Sequence, residues 1–391
     1  DMIEGRNIIC LASSWSIDPT SKHQVMRRLA AANQVLWVNY HGSRLPRPNA
    51  HDLAHSLSTL RDVARGRSGV SPGVTTMTPV LLPVPGSPVI RGLNSKLIVA
   101  QIKRALREWP DRPVQVWSFA PDVADLMGRF DEEVVVYYCV DEFSEFAGYD
   151  GKLIRRLEGE LIAKSDLVLT SSQRLHEAKR HLHPRTHLIP HGVDVDHFAA
   201  ALDEGTAVPE AMRDLPGPVI GFFGLISDWF DLALMRRVVE LRPNWSFVLI
   251  GAVDGDVSAL QAKPNVLFTG RVDYDDLPGY CRGFDVATIP FLINELTLHV
   301  NPIKLREYLG AGLPVVSTPL PEARAYGRYV RIADTPEAFV AACEEALATD
   351  SPEQRRRRAG FVADEGWDRR VEEISELVMS AGRVPGGRPV A

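Results

Sequence analysis

The stretch Asn301-Pro302-Ile303-Lys304-Leu305-Arg306-Glu307-Tyr308-Leu309-Gly310-Ala311-Gly312-Leu313-Pro314-Val315-Val316 decides how this chain is read. Asn301 is a residue type that caps helices and Pro302 suits a first helical position, so a helix is expected to start here with free backbone N–H groups turned outward. Such a helix end attracts anions before any side chain is added. Lys304 falls in the first turn, where an ammonium can join those amides against a pyrophosphate. Glu307 follows on the same face, where a carboxylate can accept hydrogen bonds from a ribose diol. Gly310 and Gly312 then end the helix and turn the chain into a strand. Taken singly, a Lys–Glu pair is as well explained by an ordinary solvated helix. The full run favours a phosphate site.

Outward from this run, short β-rich segments alternate with helical ones over nearly the whole length. Strands are expected at 8–12, 35–39, 74–82, 114–119, 134–140, 167–170 and 187–190, and again at 219–223, 247–250, 266–269, 286–290, 314–318 and 329–332. That alternation yields parallel sheets covered on both faces. A chain of 391 residues, 45% hydrophobic, is long enough for two such cores. The acidic, Gly- and Pro-containing loop 203–218 marks the boundary between them. The expected organisation is α/β throughout, with 1–200 as one domain and 216–366 as another, and a last helix near 367–380 that has no strand to serve. A polar, Arg-containing stretch at 45–73 reads as a loop with a short helix, and the Pro-rich run 79–88 as extended chain. No short-period repeat is visible.

The net charge of −6 excludes a global basic field able to hold nucleic acid, so an anionic ligand must be caught locally. The four cysteines, Cys10, Cys139, Cys281 and Cys343, have no metal-ligand spacing and no look of a disulfide framework. No metal is expected. No apolar run reaches the roughly 18 residues of a membrane span, and no leader pattern is present, so a cytoplasmic protein is expected. Ile3-Glu4-Gly5-Arg6 matches a protease-recognition sequence and is set aside from the functional argument.

The run from Asn301 resembles the donor-site helix of bacterial GT-B glycosyltransferases, above all the family 4 and "group 1" enzymes of polysaccharide assembly. Other pieces match in the same order. Pro190-His191-Gly192-Val193-Asp194 resembles a strand-end motif closing the first domain, and Ile220-Gly221-Phe222-Phe223-Gly224 the strand and turn that open the nucleotide domain. Phe268-Thr269-Gly270-Arg271-Val272 resembles the loop beside the nucleobase, and Gly366-Trp367-Asp368 the start of the closing helix. The resemblance implies two Rossmann-like domains facing each other across a cleft, the last helix crossing back to the first domain, and a nucleotide-sugar donor, UDP-linked in most relatives. No cofactor beyond that donor is implied. Donor contacts are expected from Gly224, Ile226, Arg271, Val272, His299, Asn301, Pro302, Ile303, Lys304 and Glu307.

Two departures bear on mechanism. Many relatives carry an Arg and a Lys just beyond the glycine turn, where this chain has Leu225 to Trp229, and retaining relatives carry a Glu at the position of His299. Both favour inversion over retention. Asp141, at the end of the strand 134–140, is placed where catalytic groups of open α/β sheets sit. A similar acid is the general base in some exopolysaccharide glucuronosyltransferases of this fold, and that role is carried over to Asp141. Its competing role is to cap the following helix. Ser14, Trp15 and His23, after the first strand, are expected to face the acceptor, with Trp15 offering a flat ring to a sugar.

The segment 93–109 places Lys96, Lys103, Arg104 and Arg107 among apolar residues. A basic amphipathic helix can rest on an anionic membrane and bring the site to a lipid-linked acceptor. More commonly such a helix covers a sheet. Glycans, lipid-linked intermediates and small molecules all stand as acceptors. A sugar-nucleotide epimerase of the same fold and a non-enzymatic two-domain binding protein are the rival readings.

Overall fold

Runs such as Ile8-Ile9-Cys10-Leu11 and Val134-Val135-Val136-Tyr137 have no polar member, and that is the signature of strands covered on both faces. In the computed structural model, which describes residues 2–16, 19–40, 67–82 and 88–382, both runs are interior strands of the first of two sheets. The chain divides into two compact units, Asp1–Pro190 with Asp368–Ala391, and His191–Trp367. The loop 203–218 therefore lies inside the second unit, where it packs short helical turns such as Glu210–Arg213.

The first unit holds β1 (Asn7–Ala12), β2 (Gln34–Asn39), β3 (Arg67–Ser71), β4 (Val74–Met77), β5 (Val114–Ser118), β6 (Val134–Cys139), β7 (Leu167–Thr170) and β8 (Thr186–Leu188). Their order is β3-β4-β2-β1-β5-β6-β7-β8, parallel except for the β3–β4 hairpin. The hairpin is a correction to the sequence reading, which took 45–73 as a loop and 74–82 as one strand. Gly73 makes it possible. Its φ is +73°, and a Cβ there would meet the Ala30 carbonyl oxygen at 2.4 Å. The part of that loop at 41–66, and 83–87 of the Pro-rich run, lie outside the described residues.

Ile3-Glu4-Gly5-Arg6 is integral to the fold. Ile3 is fully buried, its carbonyl accepts from Asn33 Nδ2 at 2.7 Å, and Arg6 pairs with Glu133 at 2.8 Å. The helix Trp367–Ala381 clusters with this unit from Asp368 onward, where Asp368 pairs with Arg28 at 2.5 Å.

The second unit holds β9 (Val219–Phe223), β10 (Ser246–Ile250), β11 (Val266–Gly270), β12 (Val286–Ile289), β13 (Val315–Ser317) and β14 (Val330–Ile332), all parallel, in the order β11-β10-β9-β12-β13-β14. In each sheet the connections reverse direction at one place: between β1 and β5 in the first, between β9 and β12 in the second. Ligands of open α/β sheets bind beyond the strand ends at such a point. Among the described residues no helix is long and apolar enough to cross a membrane, and no group of His, Cys, Asp or Glu could hold a metal.

Candidate functional site

At the β9–β12 switch point, Gly224 follows β9 with a φ of +136°. A Cβ there would lie 2.9 Å from Lys304 Cε and 3.2 Å from Nζ, so the glycine is what lets the lysine lie over the strand end. The ammonium sits 5.4 Å from the Phe222 ring centroid and 4.9 Å from that of Phe291, which follows β12. Both rings offer it a negative π face. Burial pulls the Lys304 pKa down, and the neighbouring Glu307 partly opposes that. The Glu307 carboxyl is pushed up by burial, against the pull of Lys304 and with a further push from Asp194. No described residue gives the Glu307 carboxylate a hydrogen bond or accepts one from the Lys304 ammonium. Glu307 is buried and Lys304 partly buried.

Several donor-site expectations need correction. The helix runs Ile303–Gly310 with Pro302, not Asn301, in the capping place and no side-chain cap. Asn301 is drawn instead to Arg306, whose Nη1 donates to its Oδ1 at 2.7 Å, while Arg306 Nε pairs with Glu365 at 2.7 Å. A buried guanidinium demands acceptors more strongly than a helix end demands a cap. Neither glycine-turn amide expected near phosphate is available: Gly224 N donates to Ile250 O and Ile226 N to Ala252 O, each at 2.9 Å. The Ile226 side chain is core. Val272 also packs toward the core, whereas Arg271 is exposed beyond Gly270. His299 is half-buried, its Nδ1 2.7 Å from Glu295 O.

In the first unit the ends of β1 and β6 carry the second constellation. Asp141 is half-buried, with its pKa raised to about 7 by burial, against the pull of Lys22 and with a push from Glu142. It caps no helix, because Glu142 takes the capping place of the turn Phe143–Glu145 and Asp150 caps Gly151–Lys164. His23 is fully enclosed, so acceptor contact is excluded for it. Its Nδ1 accepts from Thr20 N at 3.2 Å, Nε2 lies 3.1 Å from Trp15 O, and burial drives its pKa down to about 3, which keeps it neutral. Ser14 is buried against Ser16. Trp15 is half-buried, edge-on to Trp37, with the Arg27 guanidinium 5.2 Å over its ring.

Two features escaped the sequence reading. Lys22, in the first turn of Ser21–Leu29, reaches Ser13 Oγ at 2.5 Å and is electrostatically coupled to Asp141. Behind Asp141, buried Lys179 donates to Glu142 at 2.9 Å and Glu158 at 2.7 Å, while Tyr137 OH donates to Glu158 at 2.7 Å. The network anchors the residue next to Asp141. Its only signal in the sequence is a lysine one turn beyond Leu175, on the face where an apolar residue is expected.

Residues 217–349 match the family model described as Glycosyl transferases group 1. Over 275 residues the chain is 28% identical to TuaH of Bacillus subtilis strain 168, named for a glycosyltransferase of teichuronic acid biosynthesis, covering 65% of this chain and 68% of that one. Among solved structures, sucrose-phosphate synthase from Thermosynechococcus elongatus superposes with a TM-score of 0.70 at 15% identity, over 96% of this chain and 98% of that one. Anabaena HepE in complex with UDP-glucose does so with a TM-score of 0.65 at 13% identity, over 96% and 99%. The epimerase alternative finds no support in these matches. Residues 217–349, which hold Gly224, Lys304 and Glu307, are thus similar to group 1 glycosyltransferases, and they are set in a chain with the two-unit α/β fold of the GT-B glycosyltransferases.

Proposed function

We propose that this glycosyltransferase uses a UDP-sugar as donor and transfers the sugar, with inversion, to an acceptor hydroxyl in the assembly of a cell-surface polysaccharide or glycoconjugate. The observation that carries the donor assignment is the partly buried Lys304 ammonium lying over Gly224, with Glu307 on the next turn. Lys304 and the first amides of its helix bind the diphosphate, and Glu307 holds the ribose diol. Positive charge fixed at the leaving group is the largest contribution such a site can make, because negative charge grows there in the transition state, and it needs no metal. Asp141 takes the acceptor proton during in-line displacement. UDP as the nucleotide is supported by the HepE complex, and polysaccharide assembly by the name of TuaH.

Thermal melting with UDP, GDP and TDP tests the donor. UDP at a hundred times its Kd stabilises the native state by about 2.7 kcal/mol. Slow UDP release from the matching UDP-sugar, without epimerised donor, is the expected companion result. Absence of a UDP-specific shift overturns the donor assignment.

The acceptor side extends to a lipid surface. The helix Pro88–Leu106 buries Ile98, Ile102 and Ala105, while Val89, Leu93 and Leu97, at four-residue spacing, are exposed. Exposed Lys96, Lys103, Arg104 and Arg107 continue that outward face. Beside it the chain at Val80 and Leu82, both exposed, is clamped through backbone N–H and C=O by Gln101 and Asn94. The sequence left open whether this helix covers a sheet or rests on a membrane; one side is buried, and the outward side carries both apolar and basic residues. That pairing fits an anionic bilayer. Co-sedimentation with phosphatidylglycerol vesicles, and not with phosphatidylcholine vesicles, is expected. The double variant Leu93→Glu, Leu97→Glu should lose about tenfold or more in vesicle binding while its UDP-induced melting shift is unchanged. Equal recovery of both proteins with the vesicles refutes the assignment.

A further inference from the structure

We infer that the buried Lys179–Glu142 pair is a positioning device for the transfer reaction: from inside the first unit it fixes the end of β6 that carries Asp141. The inference rests on the reading of Asp141 as the base.

Lys179 ends the helix Gln173–Lys179 one turn beyond buried Leu175 and is itself 5% exposed. An ammonium in such a place has to be matched, because an unpaired buried charge is costly. Glu142 supplies one carboxylate at 2.9 Å, and Glu158, from the helix Gly151–Lys164, another at 2.7 Å. The remaining oxygens are taken as well: Tyr137 OH donates to Glu158 at 2.7 Å and Ser144 Oγ to Glu142 at 2.9 Å. Apolar side chains of similar volume often serve stability as well as a buried ion network does, so stability is a weak account of this one. What it orients is a better account.

The oriented segment is 139–144. From the end of β7, Ser171 N donates to Cys139 O at 3.1 Å and Ser171 Oγ to Val140 O at 3.0 Å. Cys139 Sγ donates to Asp141 O at 3.4 Å. Glu142 then ties the segment to Lys179, and Ser144 takes a further bond from Arg155 Nη1 at 3.1 Å. Three consecutive carbonyls and the next side chain are therefore held, and none of these bonds uses the Asp141 carboxyl. A general base must lie within hydrogen-bond reach of the proton it takes, and a misplacement of about 1 Å can cost about 10²-fold in rate. The Glu142 side chain, adjacent to Asp141 in the chain, is the link through which Lys179 sets that position.

Replacing Lys179 would strand two buried carboxylates and unsettle the fold for that reason alone, so the pair is probed from its other side. Glu142→Ala leaves Lys179 matched by Glu158, and Glu142→Gln removes the same charge while still able to accept from Lys179. A difference between the two variants therefore reads position, not charge. Steady-state kinetics with a UDP-sugar, calorimetric titration with UDP and thermal melting are measured for both, for Asp141→Asn and for the double variant Glu142→Ala, Asp141→Asn. Glu142→Ala should lose about tenfold to 10²-fold in kcat. Its UDP affinity should stay native, because Lys304 and Glu307 belong to the second unit. Glu142→Gln should recover most of the loss. Added to Asp141→Asn, Glu142→Ala should cost almost nothing more, since a residue acting through the base has nothing left to position. Native kcat in Glu142→Ala, an equal loss in both Glu142 variants, or a full further loss in the double variant overturns the inference, while an inactive Asp141→Asn leaves the base reading standing. Near-native activity of Asp141→Asn removes the base reading and the inference with it.

Discussion

Lys304→Ala is expected to lower kcat by about 10² to 10³ with little change in melting temperature. The magnitude is that of removing one fixed electrostatic group from a developing negative charge. Stability should change little because Lys304 is partly exposed and gives no hydrogen bond to a described residue, and the buried Glu307 carboxyl left without its cation can take up a proton. The same change relieves Glu307 of its neighbouring cation, and its carboxyl pKa, already raised by burial, should rise further. UDP affinity should therefore fall together with turnover. Gly224→Ala probes the same contact from below, since its Cβ would approach Lys304 Cε at 2.9 Å and the strained φ of +136° adds to the cost. Steady-state kinetics with a UDP-sugar and calorimetric titration with UDP read both effects. A Lys304→Ala enzyme with native kcat would show that the diphosphate lies elsewhere.

The strand pattern was legible because these strands are buried on both faces. An unbroken run such as Val134 to Cys139 reads as such a strand, and observed bounds differ from expected ones by a residue or two except at 74–82, where the strand is Val74–Met77. What the pattern missed was β3, Arg67–Ser71, whose residues are largely exposed and pair only at a sheet edge. Nothing about hydrophobic burial marks such a strand; it is made by Gly73 and its partner β4. The candidate site divides in the same way. Lys304 and Glu307 were readable because one short helix brings them together, and local spacing fixes their face. Asn301 was misplaced because its true partner, Arg306, is held by Glu365, a contact far along the chain. His23 was misread for a related reason: only the packing of Trp15 and Trp37 around it turns a helix-surface position into an enclosed one. Lys22 stood in a stretch already singled out, yet its connection to Asp141 depends on which strands lie side by side, and sheet order is not written in local sequence.

Asp141→Asn should lower kcat by about 10² to 10⁴, the range assigned to a positioned general base, with KM for the nucleotide sugar little changed. Asparagine preserves the size of the side chain and removes its basicity, so donor binding at Lys304 is untouched while the acceptor proton has no destination. Because the Asp141 carboxyl titrates at about 7, native activity should fall as pH drops below neutrality, and the variant should lack that limb. Stability gives an independent sign. A carboxyl whose folded pKa exceeds its unfolded value is destabilising when charged, so the native fold should gain stability relative to Asp141→Asn as pH falls through about 7 toward the ordinary carboxylate range. NMR of the product's anomeric centre then completes the argument. A proton removed by Asp141 belongs to a single in-line displacement, which inverts that centre, whereas a retained centre together with an active Asp141→Asn enzyme would assign the proton to the departing diphosphate.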